Sequence, residues 1–157
     1  RNSDGTYVKT NDEATGTSAF VKTEQPWFTE EKIQAIKDLP IWLVQSADDP
    51  VVVPANYMLP TYQALVKAGA ENTWMSYFET VEGTDSPGTT YLGHFSWIYL
   101  FNNQVTGVQD KEAIAAAADT ETFGSEPSNA AGGGTAAATV GGTTYANIFE
   151  WLNAQSK

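Results

Sequence analysis

One histidine and one pair of adjacent carboxylates are the residues of this 157-residue chain whose types and spacing could do chemistry. His94 is the chain's only histidine, and Asp48-Asp49 closes the apolar run Ile41 to Val44 after Gln45, Ser46 and Ala47. A histidine acting as general base needs a carboxylate on its second ring nitrogen, to fix the tautomer and stabilise the imidazolium. In open α/β sheets such groups project from the carboxyl ends of strands. An acid and then a histidine at the ends of successive strands is a hydrolytic arrangement. The missing part is a nucleophile: the chain contains no cysteine, and no serine stands in an obvious nucleophile context.

The elements that must position these groups are a strand, a helix and a second strand. Ile41 to Ser46 is short and apolar on both faces, which predicts a strand inside a parallel sheet. Asn56 to Ala68 predicts a helix with Tyr57, Thr61, Leu65 and Ala68 on one face and Gly69 at its C-terminal cap. Pro60 falls near the first turn, where proline is tolerated. Thr73 to Phe78 is rich in β-formers and predicts the second strand. Together they make a βαβ unit with parallel strands. The carboxyl ends of both strands then share one edge, where Asp48 or Asp49 can meet His94.

The flanks are read in the same way. Residues 1–25 are polar, without a period of 2 or 3.6, and predict a lead-in loop. Thr29, Glu30 and Glu31 start a helix over 29–38, ended by Pro40. Glu79 to Gly93 is a long loop, where function tends to sit. Phe95 to Phe101 predicts a short helix whose Trp97, Tyr99 and Phe101 serve as core. Lys111 to Ala118 predicts a short helix, inside a stretch 107–144 expected to be a surface insertion. The glycine-rich 130–137 run is expected to be a flexible surface loop; it lacks the lysine and strand–helix context of a phosphate loop. Thr139 to Thr144 predicts a hairpin turning at Gly141-Gly142. Asn147 to Gln155 predicts a closing helix that buries Ile148, Trp151 and Leu152. The domain plan is thus a lead-in at 1–25, a βαβ unit with its two loops at 26–106, the insertion at 107–144 and the last helix at 145–157.

Composition bounds the partners. The chain is 41% hydrophobic and 12% aromatic, enough to bury a core, and carries a formal net charge of -11. Such a surface repels phosphate backbones, so nucleic acid is not an expected partner. No run of about 18 apolar residues supplies a membrane span. One histidine with scattered carboxylates such as Asp85, Asp110 and Glu112 does not make a zinc site, and no cofactor is expected.

The run Ser46-Ala47-Asp48-Asp49-Pro50-Val51-Val52-Val53-Pro54 and the segment Gly93-His94-Phe95-Ser96-Trp97 resemble the α/β-hydrolase superfamily, its esterase and predicted serine peptidase branches in particular. The terminal Ile148-Phe149-Glu150-Trp151-Leu152 is similar to that family's last helix. The resemblance covers roughly residues 26–106 and 145–155. It implies an α/β fold in which this chain is the C-terminal part, a parallel sheet flanked by helices. It implies that Asp49, which stands just before proline, is the triad acid, with Asp48 as the alternative, and that His94 is the triad base. The family's nucleophile elbow, G-x-S-x-G, is absent: Gly16-Thr17-Ser18-Ala19-Phe20 lacks the second glycine. The serine, the oxyanion-hole amides and most of the sheet are therefore expected on an N-terminal portion of the same protein. That portion is the expected partner, a small-molecule carboxylic ester the expected substrate, and a peptide bond the second choice. A non-catalytic α/β binding or scaffold domain is the alternative of another class. Secretion or display on a bacterial surface is the expected location. Two strands alone would leave a sheet edge and an apolar face uncovered, with Trp27, Trp42 and Trp74 in need of something to pack against.

Overall fold

The computed structural model describes residues 9–12, 17–20, 28–83, 88–118 and 123–155. Within the lead-in, β1 (Lys9–Asp12) pairs antiparallel with β2 (Thr17–Phe20). The expected loop is there a two-stranded ribbon, set by backbone pairing rather than by a hydrophobic pattern. Trp27 lies outside the described residues.

Helix α1 (Glu30–Ile36) is capped by Thr29, whose side chain accepts from the Lys32 amide, and it buries Ile33. It leads into β3 (Ile41–Ser46). A 3₁₀ turn at Pro54–Asn56 precedes α2 (Met58–Lys67), and Gly69 follows at φ +83°. That turn packs three residues per revolution, so α2 starts later and in another phase than expected. It buries Leu59, Tyr62, Gln63 and Leu65, while Tyr57 is exposed. Strand β4 (Thr73–Phe78) is buried throughout. It runs parallel to β3 in the register Ile41↔Thr73 to Ser46↔Phe78. The βαβ unit is thus present, and both carboxyl ends lie at one edge.

The loop after β4 is partly ordered: β5 (Val81–Glu82) pairs antiparallel with β6 (Thr90–Tyr91). A 3₁₀ turn at Gly93–Phe95 then enters α3 (Trp97–Phe101). Tyr99 fixes α3 to the sheet. Its ring stacks on Phe78 at 4.2 Å, and its hydroxyl donates to Thr80 O and accepts from the Glu82 amide.

The stretch 107–144 is not a surface insertion. Helix α4 (Lys111–Ala116), capped by Asp110, sends the fully buried Ile114 into a cluster with Leu59, Tyr62, Met75, Tyr77 and Phe123. The flanking chain occupies the second edge of β4. The Gln109 amide donates to Met75 O at 2.8 Å, the Tyr77 amide to Gly133 O at 2.7 Å, and the Ser128 amide to Tyr77 O at 2.9 Å. Nor is the 130–137 run a surface loop throughout, for Gly133 and Gly134 are buried. A Cβ on Gly133 would meet Ser76 Cβ at 2.5 Å, so only glycine lets this backbone lie on the strand.

The chain closes with β7 (Ala138–Val140), a turn at Gly141 and Gly142, and β8 (Thr143–Tyr145). Both glycines have positive φ, +56° and +81°, as a type I′ hairpin turn requires. Helix α5 (Ile148–Ala154), capped by Asn147, buries Ile148 and Trp151, whereas Leu152 is exposed. Asn72 Oδ1 ties α5 to the sheet by accepting from the indoles of Trp74 at 3.2 Å and Trp151 at 2.7 Å.

Two of the tryptophans expected to lack cover find it within the chain. Trp42 meets Trp151 edge-on at 5.4 Å, and Lys111 Nζ sits 3.6 Å over the Trp74 ring. Among the described residues β3 pairs with β4 alone, and Ile41 to Val44 are only half-buried. The architecture is a mixed α/β one built from two-stranded sheets. No helix among the described residues is long and apolar enough to cross a membrane.

Candidate active site

The loop after β3 turns back on its own acid. Asp49 Oδ1 accepts from the backbone amides of Val51 at 2.8 Å and Val52 at 3.0 Å. This is the short-range capping an Asp before Pro favours, and it consumes one carboxylate oxygen. The other, Oδ2, accepts from Gln45 Nε2 at 2.9 Å and faces His94 Nδ1 at 3.2 Å. Asp49 is 6% exposed. Burial by itself pushes its pKa up. The amides of Val52 and Val51, then Gln45, then His94, outweigh that and hold the carboxyl below the ordinary 3.8.

An ionised carboxylate only accepts hydrogen bonds. The proton between the two groups therefore belongs to His94 Nδ1, and in the neutral ring Nε2 carries the free lone pair. Among the described residues the ring's hydrogen bond to Asp49 is its only one. The imidazole is 41% exposed, whereas the Asp49 side chain is 4% exposed. A buried, ionised acid holds one ring nitrogen of an accessible base, which is the disposition a general base needs.

Asp49, the expected acid, is the one that meets His94, and Asp48, the alternative, does not. Asp48 is exposed and accepts from Ser46 Oγ at 2.5 Å. It faces the backbone of Gly93. A Cβ there would overlap Asp48 Oδ1 and lie 2.6 Å from the Asp49 amide nitrogen. Gly93 thus lets the histidine turn close directly onto the acid loop.

The aromatic residues after His94 depart from expectation. Tyr99 alone of the expected three is core; Trp97 and Phe101 are 51% and 72% exposed. They are placed by the short α3, whose anchored face is taken by Tyr99. Phe95, Trp97 and Phe101 form a ladder of edge-on rings at 6.0 and 5.8 Å, and Phe95 lies 6.1 Å from the His94 ring. With Tyr91, Ile98 and Asn102 they line an open groove of about 470 Å³.

In the sequence Gly93 stands out only within the motif around His94, and Gln45 is not singled out. Gln45 did carry a signal: a lone amide in a buried apolar strand must find a partner. Gly93 opens the Gly-His motif, but its contact with the acid loop shows only in the fold. Asp85 lies outside the described residues, and Asp110 is occupied as the α4 cap, accepting from the Glu112 and Ala113 amides. Among the described residues no group of three or more His, Cys, Asp or Glu could hold a metal ion. No family model, no curated protein and no solved structure matches this chain.

Proposed function

We propose that this chain supplies the acid and base of a serine carboxylic-ester hydrolase of the α/β-hydrolase fold, with the nucleophilic serine on another segment or chain. The observation that carries the proposal is the 3.2 Å approach of His94 Nδ1 to Asp49 Oδ2 at the shared carboxyl edge of parallel β3 and β4. Asp49 stays ionised and orients the ring. His94 Nε2 takes the proton of the serine hydroxyl as the serine oxygen attacks the ester carbonyl. It then returns that proton to the departing alcohol. Water repeats the sequence on the acyl-enzyme, with His94 again as base.

Two further features support the assignment. The edge of β3 that pairs with no strand among the described residues, with its half-buried apolar side chains, suits an additional strand, which is where a nucleophile-bearing segment would join. The apolar groove lined by Phe95, the residue after His94, suits the non-reacting part of a small ester.

The test is hydrolysis of p-nitrophenyl esters by the chain together with the polypeptide that co-purifies with it. Turnover is expected to fall at least about 10²-fold in His94→Ala. Unchanged turnover there would remove His94 from the mechanism. If no accompanying polypeptide reacts with a fluorophosphonate probe, the assignment gives way to a non-catalytic α/β binding domain.

A further inference from the structure

Gln45 is a buried amide, 5% exposed, one residue before the end of β3 and after the apolar run Ile41 to Val44. Its Nε2 donates to Asp49 Oδ2 at 2.9 Å and reaches Val52 O at 3.3 Å and Ser46 O at 3.5 Å. The first of these bonds lands on the same oxygen that faces His94, because Oδ1 is already taken by the Val51 and Val52 amides. Two backbone amides pin one oxygen of the carboxylate. Among the described residues the other oxygen is held by Gln45 Nε2 and His94 Nδ1, so outside the histidine turn Gln45 is its partner. Val52 is gripped twice, its amide by Asp49 Oδ1 and its carbonyl by Gln45 Nε2. The Gln45 side chain therefore braces both the acid and the loop that carries it.

We infer that Gln45 is a positioning residue of the acid–base pair: it holds Asp49 Oδ2 toward His94 and so sets the Nδ1–H tautomer that leaves Nε2 as base. The purpose of that arrangement rests on the proposed hydrolase function, but the arrangement can be measured without turnover. A glutamine that merely filled space would be replaceable by methionine, of similar length, without disturbing the imidazole. A positioning glutamine would not, because both of its N–H donors are lost.

His94 is the only histidine, so the ¹⁵N signals of imidazole nitrogens report on it without ambiguity. In the chain with its ring neutral, the Nδ1–H tautomer is expected to dominate. Asp49→Asn is expected to abolish that preference, since an amide no longer demands a donor. Gln45→Met is expected to weaken it too and to make the Asp49 carboxyl titrate higher, because the carboxylate has lost a donor. Gln45→Glu sets two carboxyls against each other across the same short gap. They are expected to share a proton and titrate as a coupled pair with a raised upper step.

The outcomes separate. Native tautomer and native Asp49 titration in Gln45→Met would overturn the role of Gln45 and leave the pair intact. Native tautomer in Asp49→Asn would overturn the pair itself and the hydrolase assignment with it. Should Gln45→Met fail to fold, Gln45→Glu decides, since independent titration of its two carboxyls would show that the side chain at position 45 does not face Asp49.

Discussion

A single methyl group on Gly93 should uncouple His94 from Asp49. The perturbation is Gly93→Ala, in the turn whose backbone closes on the acid loop. The new Cβ would stand 2.6 Å from the Asp49 backbone nitrogen and 2.7 Å from the Asp48 carbonyl carbon, whereas ordinary contact begins near 3.4 Å. The Asp48 carboxylate, which it would also meet, can swing into solvent. The two backbone atoms cannot. Restoring contact requires the acid loop and the histidine turn to part by roughly 1 Å, since carbon atoms pack best at about 3.5–4.0 Å. Added to the present 3.2 Å between His94 Nδ1 and Asp49 Oδ2, that displacement carries the pair outside hydrogen-bond range. The overpacking should cost about 1–3 kcal/mol, at about 2–4 °C of Tm per kcal/mol for a chain of this size. Under the proposed function a misplacement of about 1 Å should lower kcat about 10²-fold. The assays are a thermal unfolding scan and the ¹⁵N spectrum of the His94 ring, with Leu92→Ala, an exposed neighbour, as control. A Gly93→Ala chain with unchanged Tm and an unchanged imidazole spectrum would refute the claim that this glycine governs the approach.

Two further expectations follow from burial and hydrogen bonding. The Asp49 carboxyl is held below its ordinary value of 3.8, so above that pH it is ionised in both states and its stabilisation is fully present. As pH falls, the unfolded chain takes up the proton first, and the stabilisation is lost as pH drops through the folded pKa. Urea midpoints measured downward from about pH 5 should therefore fall more steeply in the native chain than in Asp49→Asn; parallel curves would show that Asp49 is not preferentially ionised by the fold. Ile114→Ala should cost about 2–5 kcal/mol in the same urea experiment, because Ile114 is fully buried against Tyr62 and Met75. A change within about 0.5 kcal/mol, normal for a surface site, would return 107–144 to the status of an insertion.

The features legible in the sequence are those whose cause is local. Ile41 to Ser46 and Thr73 to Phe78 are strands with those bounds, because each is a short run rich in apolar, β-branched or aromatic residues. Gly69 and the Gly141-Gly142 turn sit at positive φ, where a side chain would strain the backbone. Asn147 caps α5 because its short side chain reaches amides two and three residues on. The βαβ unit brings both strand ends to one edge, and the turn at Gly93 then carries His94 onto the acid loop.

Only the tertiary structure decided the rest. The 107–144 stretch is alanine- and glycine-rich, so no period announced that it would run along β4. Its fit depends on Gly133 lying against Ser76 and on amides exchanged across long separations. Leu152 and the aromatic ladder after His94 are apolar by composition but exposed by placement, since α5 and α3 each turn a different face inward. Between Asp48 and Asp49 the sequence favours Asp49 only by its place before proline. Both residues can cap a turn and both precede the same loop. Which carboxylate meets His94 is settled by the Val51 and Val52 amides and by Gln45, which converge on Asp49 only once strand, loop and histidine turn are folded together.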